Sequence, residues 1–249
     1  MTAREAGPDA RTAEDRSGEW FVPRFGPPGF RYAVGLLFLP YTGMVISFAV
    51  LGSLLAPRVA WGRVFAIAVI YFLGLGIAAH ALDALGAGGA RPWGAAFTRR
   101  QLKALAAGAL VLAYAIGVYY IVRHVPWLWT VALLEGFFVF AYNLEWFGGR
   151  FHTDGWFAFS WGFLPVLAGH LMQTNGIGAA ALLLGGAAAL FSLVEITVSR
   201  PYKELKRRAG PLPEEEAKAA KRYETVLQSI STGVILLAAA LAAWRLASG

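Results

Sequence analysis

His80 and Asp83 stand three residues apart near the end of an apolar run that begins around residue 60. On a helix that spacing puts an imidazole and a carboxylate on one face. Asn143, Glu145, Arg150, His152 and Asp154 follow another apolar run, and Glu195, Arg200 and Lys203 close a third. Carboxylates beside imidazoles suit proton transfer or metal ligation, and clustered Arg and Lys suit an anionic ligand. With no cysteine in the chain, thiolate metal sites, disulfides and cysteine nucleophiles are excluded.

The elements that must position these groups are membrane helices. Of 249 residues 57% are hydrophobic and 15% charged, too few charges to cover a soluble domain of this size. The apolar residues come in runs of about 20, enough to cross a hydrocarbon core of roughly 30 Å. The pattern predicts an all-α polytopic transmembrane bundle of about seven spans, near 30–55, 60–85, 100–122, 125–146, 155–174, 177–199 and 224–246. Residues 1–29 form a separate region: a polar tail expected to be disordered, then an interfacial lead-in, WFVPRFGPPG. Segment 211–223 reads as an extension of the last helix, with Pro213 in its first turn and Glu214 paired to Lys218.

The net charge of +7 is placed beside the spans, which argues for lipid headgroups and topology and against nucleic acid. The tail and the longer connections, with Lys103, carry 18 Lys and Arg; the opposite side carries Arg58, Arg63, Arg123 and Arg245. The richer side is cytoplasmic by the positive-inside rule, so the N-terminus is inside and the C-terminus outside an integral cell-membrane protein. The ends of spans 2, 4 and 6 and the starts of spans 3 and 5 then share one face. That face gathers His80, Asp83, Arg91, Asn143, Glu145, Arg150, His152, Asp154, Glu195, Arg200 and Lys203.

Each group has a plainer reading. Arg99, Arg100, Lys206, Arg207 and Arg208 fit interface anchors, and helix-end acids fit caps. His80, Asp83 and Glu195 are the ones that solvation at a helix end accounts for least. Deeper in the spans, Glu135 and His170 lie at similar depth and are able to pair.

Three segments resemble the UbiA superfamily of intramembrane prenyltransferases. AHALDALGAGGARPWGAAFTRRQL (79–102) is similar to the first acidic motif, its Arg-Pro and the next helix start. AYNLEWFGGR (141–150) and AFSWGFLPVLAGHL (158–171) are similar to the segment after the fourth helix and to the fifth helix. The resemblance covers roughly 30–200. It implies a helical bundle around a central cavity, with Mg²⁺ held by acidic motifs, a prenyl diphosphate donor and a lipid-phase acceptor. Tyr71, Phe72, Tyr142, Trp146, Trp156, Phe159 and Trp161 supply aromatics for such a pocket. The chain departs from the pattern: the first motif retains His80 and Asp83, and where the second should stand Glu195 is the acid before a basic run.

The expected function is a divergent membrane prenyltransferase, with His80, Asp83 and Glu195 catalytic and Asp83 and Glu195 holding at most one Mg²⁺. Arg91, Asn143, Glu145, Arg150, His152, Asp154, Arg200 and Lys203 would bind the substrate. One alternative is a non-catalytic isoprenoid- or lipid-binding protein. Another is a metal-dependent lipid hydrolase using His80, His152 and Asp83 or Asp154.

Overall fold

The computed structural model describes residues 16–86, 93, 96–208 and 210–248; of residues 1–19, expected to be disordered, 1–15 lie outside the described residues, whereas Arg16–Gly18 form a helical turn and Glu19 is buried. Among the described residues all regular structure is helical. After a single turn at Arg16–Gly18, the helices are α1 (Pro28–Leu36), α2 (Leu39–Leu54), α3 (Trp61–Gly86), α4 (Arg99–Arg123), α5 (Leu128–Asn143), α6 (154–174), α7 (Ala179–Arg207) and α8 (Glu214–Ser248). Five helical stretches are long and apolar enough to cross a membrane: Pro28–Leu54, α3, α4, α7 and α8. α5 is apolar but shorter.

The first expected span is broken. Pro40 cannot donate to the carbonyl of Leu36, and its ring disfavours helical backbone at Leu39. The chain answers by placing Phe38 in the left-handed region (φ 45°, ψ 49°), while Thr42 Oγ1 donates to the Leu37 carbonyl at 2.7 Å. Two stretches are wound more widely, as π-helix: Phe72–Ala79 in α3 and Phe159–Phe163 in α6. The second has a local cause, because Pro165 would otherwise collide with the carbonyl of Trp161. Both precede or contain residues of the charged cavity described below.

The helices pack where side chains are smallest. A methyl on Gly52 would overlap the Val166 carbonyl, and one on Gly169 would overlap that of Ala49. Backbone contact between α2 and α6 therefore requires glycine at both positions. Ser53 Oγ bridges the same crossing, reaching the carbonyls of Ala49 (3.0 Å) and Gly169 (3.1 Å). At the end of α3, Gly86 lies against the carbonyl of Asn143, which brings the ends of α3 and α5 together.

The last two helices run past the apolar signal. α7 continues through Pro201 to Arg207, covering residues expected to be a connection. α8 starts at Glu214 as anticipated, with Pro213 just ahead of it and its carbonyl accepting from Ala217 N (2.9 Å). Lys218 meets Glu214 at 2.7 Å, and Arg208 reaches Glu216 across the connection.

Candidate functional site

A cavity of about 300 Å³ opens where the ends of α3, α5 and α7 meet the starts of α2 and α6. His80 and Asp83 come from α3, Tyr142 and Asn143 from α5, and Phe157 and Trp161 from α6. Glu195, Arg200, Lys203, Glu204 and Arg207 come from one side of α7 at helical spacing. Phe38 and Tyr41 enter at the break before α2, and Arg16 from the N-terminal segment. His152 lies in the α5–α6 connection and completes the wall.

Aromatic rings order this space. Phe38 is buried, stacked on Phe21 (4.6 Å between centroids) and on His80 (4.4 Å). The guanidinium of Arg16 lies 5.5 Å from the Phe38 ring centre and the Lys203 ammonium 5.7 Å from it. One ring thus holds two cations by its π-face. Trp161 stacks on Phe157 (5.2 Å) and leans towards His80 (5.6 Å). A non-glycine residue in left-handed backbone is kept only where the surroundings over-determine it, and Phe38 meets that description.

Each imidazole is fixed by one ring nitrogen. His80 Nδ1 lies 2.9 Å from the Gly76 carbonyl, and His152 Nδ1 lies 2.9 Å from the Tyr142 carbonyl, its ring stacked on Tyr142 (4.4 Å). Asn143 Nδ2 donates to the Val139 carbonyl at 2.8 Å.

The carboxylates divide into two kinds. Asp83 Oδ2 accepts from Arg16 Nη1 at 3.2 Å, and Asp154 Oδ1 meets Arg200 Nη2 at 2.7 Å. Glu195 differs: it is buried and its Oε2 has neither a hydrogen bond nor an ion pair, whereas Asp154 Oδ1, also without a hydrogen bond, keeps its ionic contact with Arg200. The Nε–H groups of Arg16 and Arg207 are also buried without partners. Buried polar atoms rarely stay unpaired, so three of them around one cavity mark a place where a polar ligand is wanted.

The residues do not fit a carboxylate-held magnesium ion. Asp83 is already paired to a guanidinium, and among the described residues no three His, Asp or Glu side chains are grouped to hold a metal. A divalent ion there would also share the cavity with Arg16, Arg200, Lys203 and Arg207. Among the described residues His80, His152 and the nearby acids are likewise not grouped as a ligand set.

Of the residues singled out from sequence, His80, Asp83, Asn143, His152, Glu195, Arg200 and Lys203 line the cavity, with Asp154 joined through Arg200. Glu145 and Arg150 are exposed in the turn after α5 and stand outside the wall, and Arg91 lies outside the described residues. Of the candidate pocket aromatics, Tyr142 and Trp161 are in the wall, whereas Trp146 and Trp156 stand outside it with about two fifths of their surface exposed. Tyr71 serves elsewhere, its hydroxyl donating to Glu135 Oε1 at 2.9 Å. Glu135 is therefore bonded to Tyr71, and His170 Nδ1 is buried without a partner. Arg207, read as an anchor, belongs to the cavity. Arg16 and Phe38 carry little sequence signal: Pro40 stands two residues after Phe38, and Arg16 lies in a polar segment.

The fold and cavity define an all-helical protein with several membrane-length helices and a charged, aromatic-walled chamber at one end of the bundle. Comparisons with family profiles, with characterised proteins and with solved structures return no match.

Proposed function

We propose that this chain is a seven-span, UbiA-like membrane prenyltransferase whose cavity faces the cytoplasm and takes an isoprenoid diphosphate. The N-terminus is cytoplasmic and the C-terminus on the opposite side, a reading supported by the distribution of Lys and Arg. The single observation that carries the function is the composition of one 300 Å³ chamber. Four cations (Arg16, Arg200, Lys203 and Arg207) and five aromatic rings (Phe38, Tyr41, Tyr142, Phe157 and Trp161) line it together. A departing diphosphate requires fixed cations, and an allylic carbocation requires a dry pocket walled by π-faces.

In this reading Lys203 and Arg200 bind the diphosphate, and Phe38, Phe157 and Trp161 exclude water from the allylic carbon. The bond from that carbon to the diphosphate oxygen breaks, and its electron pair leaves on the diphosphate. A nucleophilic carbon or oxygen of a lipid-phase acceptor forms the new bond and loses a proton. Glu195, with an unpaired oxygen at the wall, accepts that proton. His80 is held by Gly76 and Phe38 so that its ring backs the site.

A second reading, a non-catalytic isoprenoid-binding protein, draws on the ion pairs Arg16–Asp83 and Arg200–Asp154, which occupy two of the carboxylates. One experiment separates the two. Purified protein in nanodiscs is given radiolabelled geranylgeranyl diphosphate and a total lipid extract. Diphosphate release with label in a new lipid, lost in Lys203→Ala and Glu195→Gln, is expected of a transferase. Tight binding with no release identifies the non-catalytic protein, and absence of both binding and release rejects either reading.

A further inference from the structure

Asp83 is the one acid the cavity keeps on α3, and it is held by a cation from the chain itself. Arg16 Nη1 sits 3.2 Å from Asp83 Oδ2, with the Arg16 side chain 11% exposed and that of Asp83 33%. The segment bearing Arg16 is anchored across the chamber. Trp20 N donates to the Tyr202 hydroxyl (3.2 Å), Trp20 Nε1 donates to the Tyr41 hydroxyl (3.3 Å), and Phe21 stacks on Phe38. The guanidinium itself is clamped over the Phe38 ring, on which Lys203 also rests. These contacts hold a polar side chain in one position, so its charge is part of the site.

A guanidinium has five N–H donors and keeps its charge at any pH a protein survives. Asp83 takes one of the five; the buried Nε–H has no partner, and neither has that of Arg207 on the same wall. Such donors, with the Lys203 ammonium beside them, suit an acceptor with several anionic oxygens.

Resting on the proposed isoprenoid-diphosphate reading, we infer that Arg16 takes the place of a divalent cation in this chamber. It neutralises Asp83 and binds the diphosphate directly together with Lys203 and Arg207, so that the donor is held without metal. Asp83 is then a positioning residue that aims Arg16, and Arg16 is a binding residue. The class of ligand is a prenyl diphosphate, recognised by its anionic head at the guanidinium groups and by its chain along the aromatic wall.

The test is binding of farnesyl diphosphate and of inorganic pyrophosphate to the purified full chain, by equilibrium dialysis, in excess EDTA and again in Mg²⁺. The expected farnesyl diphosphate affinity is the same in both buffers. Arg16→Gln weakens it about 10- to 100-fold in both, the loss of a charge-assisted contact or two. Pyrophosphate binds more weakly than farnesyl diphosphate but shows the same loss. Asp83→Asn provides a reading that does not depend on the folding of an Arg16 variant. The asparagine oxygen still accepts from Arg16 and keeps it aimed, while the negative charge that competes with the diphosphate is gone, so binding is expected to be retained or tightened, whereas a site that holds its anion through a metal on Asp83 loses binding.

Binding that needs Mg²⁺ and is abolished in Asp83→Asn while Arg16→Gln has no effect overturns the inference and leaves the prenyltransferase reading intact. No binding of farnesyl diphosphate to the wild-type chain in either buffer overturns both.

Discussion

Replacing Phe38 by alanine and, separately, by glycine tests the local geometry on which the chamber is built. Phe38 is buried, with φ 45° and ψ 49°. Truncation to alanine removes the ring against Phe21, His80 and Trp93 and is expected to destabilise the bundle by about 3–5 kcal/mol. Glycine removes one carbon more, and in an ordinary helix it would be worse than alanine by about 1 kcal/mol. Here the order is reversed. Left-handed backbone costs an L-residue roughly 1–2 kcal/mol, which glycine avoids. Its greater freedom in the unfolded chain takes back about 0.5–1 kcal/mol. Phe38→Gly is therefore expected to be more stable than Phe38→Ala by about 0.5–1 kcal/mol. The assay is reversible unfolding of the purified protein by SDS in mixed micelles, followed by circular dichroism. If the alanine variant is the more stable, the helix runs unbroken from Pro28 to Leu54, and the account of how Phe38 reaches Arg16 and Lys203 fails.

Other consequences are as specific. Gly169→Val puts a side chain into the Ala49 carbonyl, so the α2–α6 crossing must open; loss of folded protein on size exclusion is expected, with Gly186→Ala, which meets open space, as the unaffected control. Tyr71→Phe removes the hydrogen bond to Glu135 and is expected to cost about 0.6–1.7 kcal/mol, as buried pairs in membrane bundles do; no change in the same SDS titration would show that the pair contributes nothing. Arg200→Gln breaks a pair whose side chains are 44% and 36% exposed, so stability is expected to change by less than about 1 kcal/mol while farnesyl diphosphate binding weakens. Because the chain has no cysteine, single substitutions report topology directly. Arg150→Cys is expected to react with an impermeant maleimide only in inside-out vesicles, and Ser248→Cys only in right-side-out ones.

Much of the architecture was legible as apolar length. Runs at 60–85 and 100–122 correspond to α3 and α4 within a residue or so, because a continuous helix satisfies every backbone group in an apolar setting. Elements whose apolar signal fades were read short. α7 continues through SRPYKELKR, where hydropathy falls but Lys, Glu, Leu and Arg are good helix formers. The site was legible as a face: alternating helix direction placed the ends of α3, α5 and α7 together, and seven of the residues expected there line the chamber. What stayed hidden depends on backbone events with no periodic signature. The left-handed turn at Phe38 and the two π-helical stretches rotate side chains out of the register that 3.6-residue spacing assigns. Arg16 was hidden for a different reason, since its partner is 67 residues away and its neighbours in sequence are polar.

The most direct measurement of the central claim is site-mapped photolabelling. A farnesyl diphosphate analogue carrying a diazirine on the prenyl chain is irradiated with the nanodisc-embedded protein and the adducts are located by mass spectrometry. Adducts on the chamber wall at Phe38, Tyr142, Phe157 or Trp161, displaced by unlabelled farnesyl diphosphate and absent in Lys203→Ala, are the expected result. Labelling spread over exposed helix positions such as Leu183 and Val122, unchanged by competitor and by Lys203→Ala, would contradict the assignment of this chamber as an isoprenoid diphosphate site.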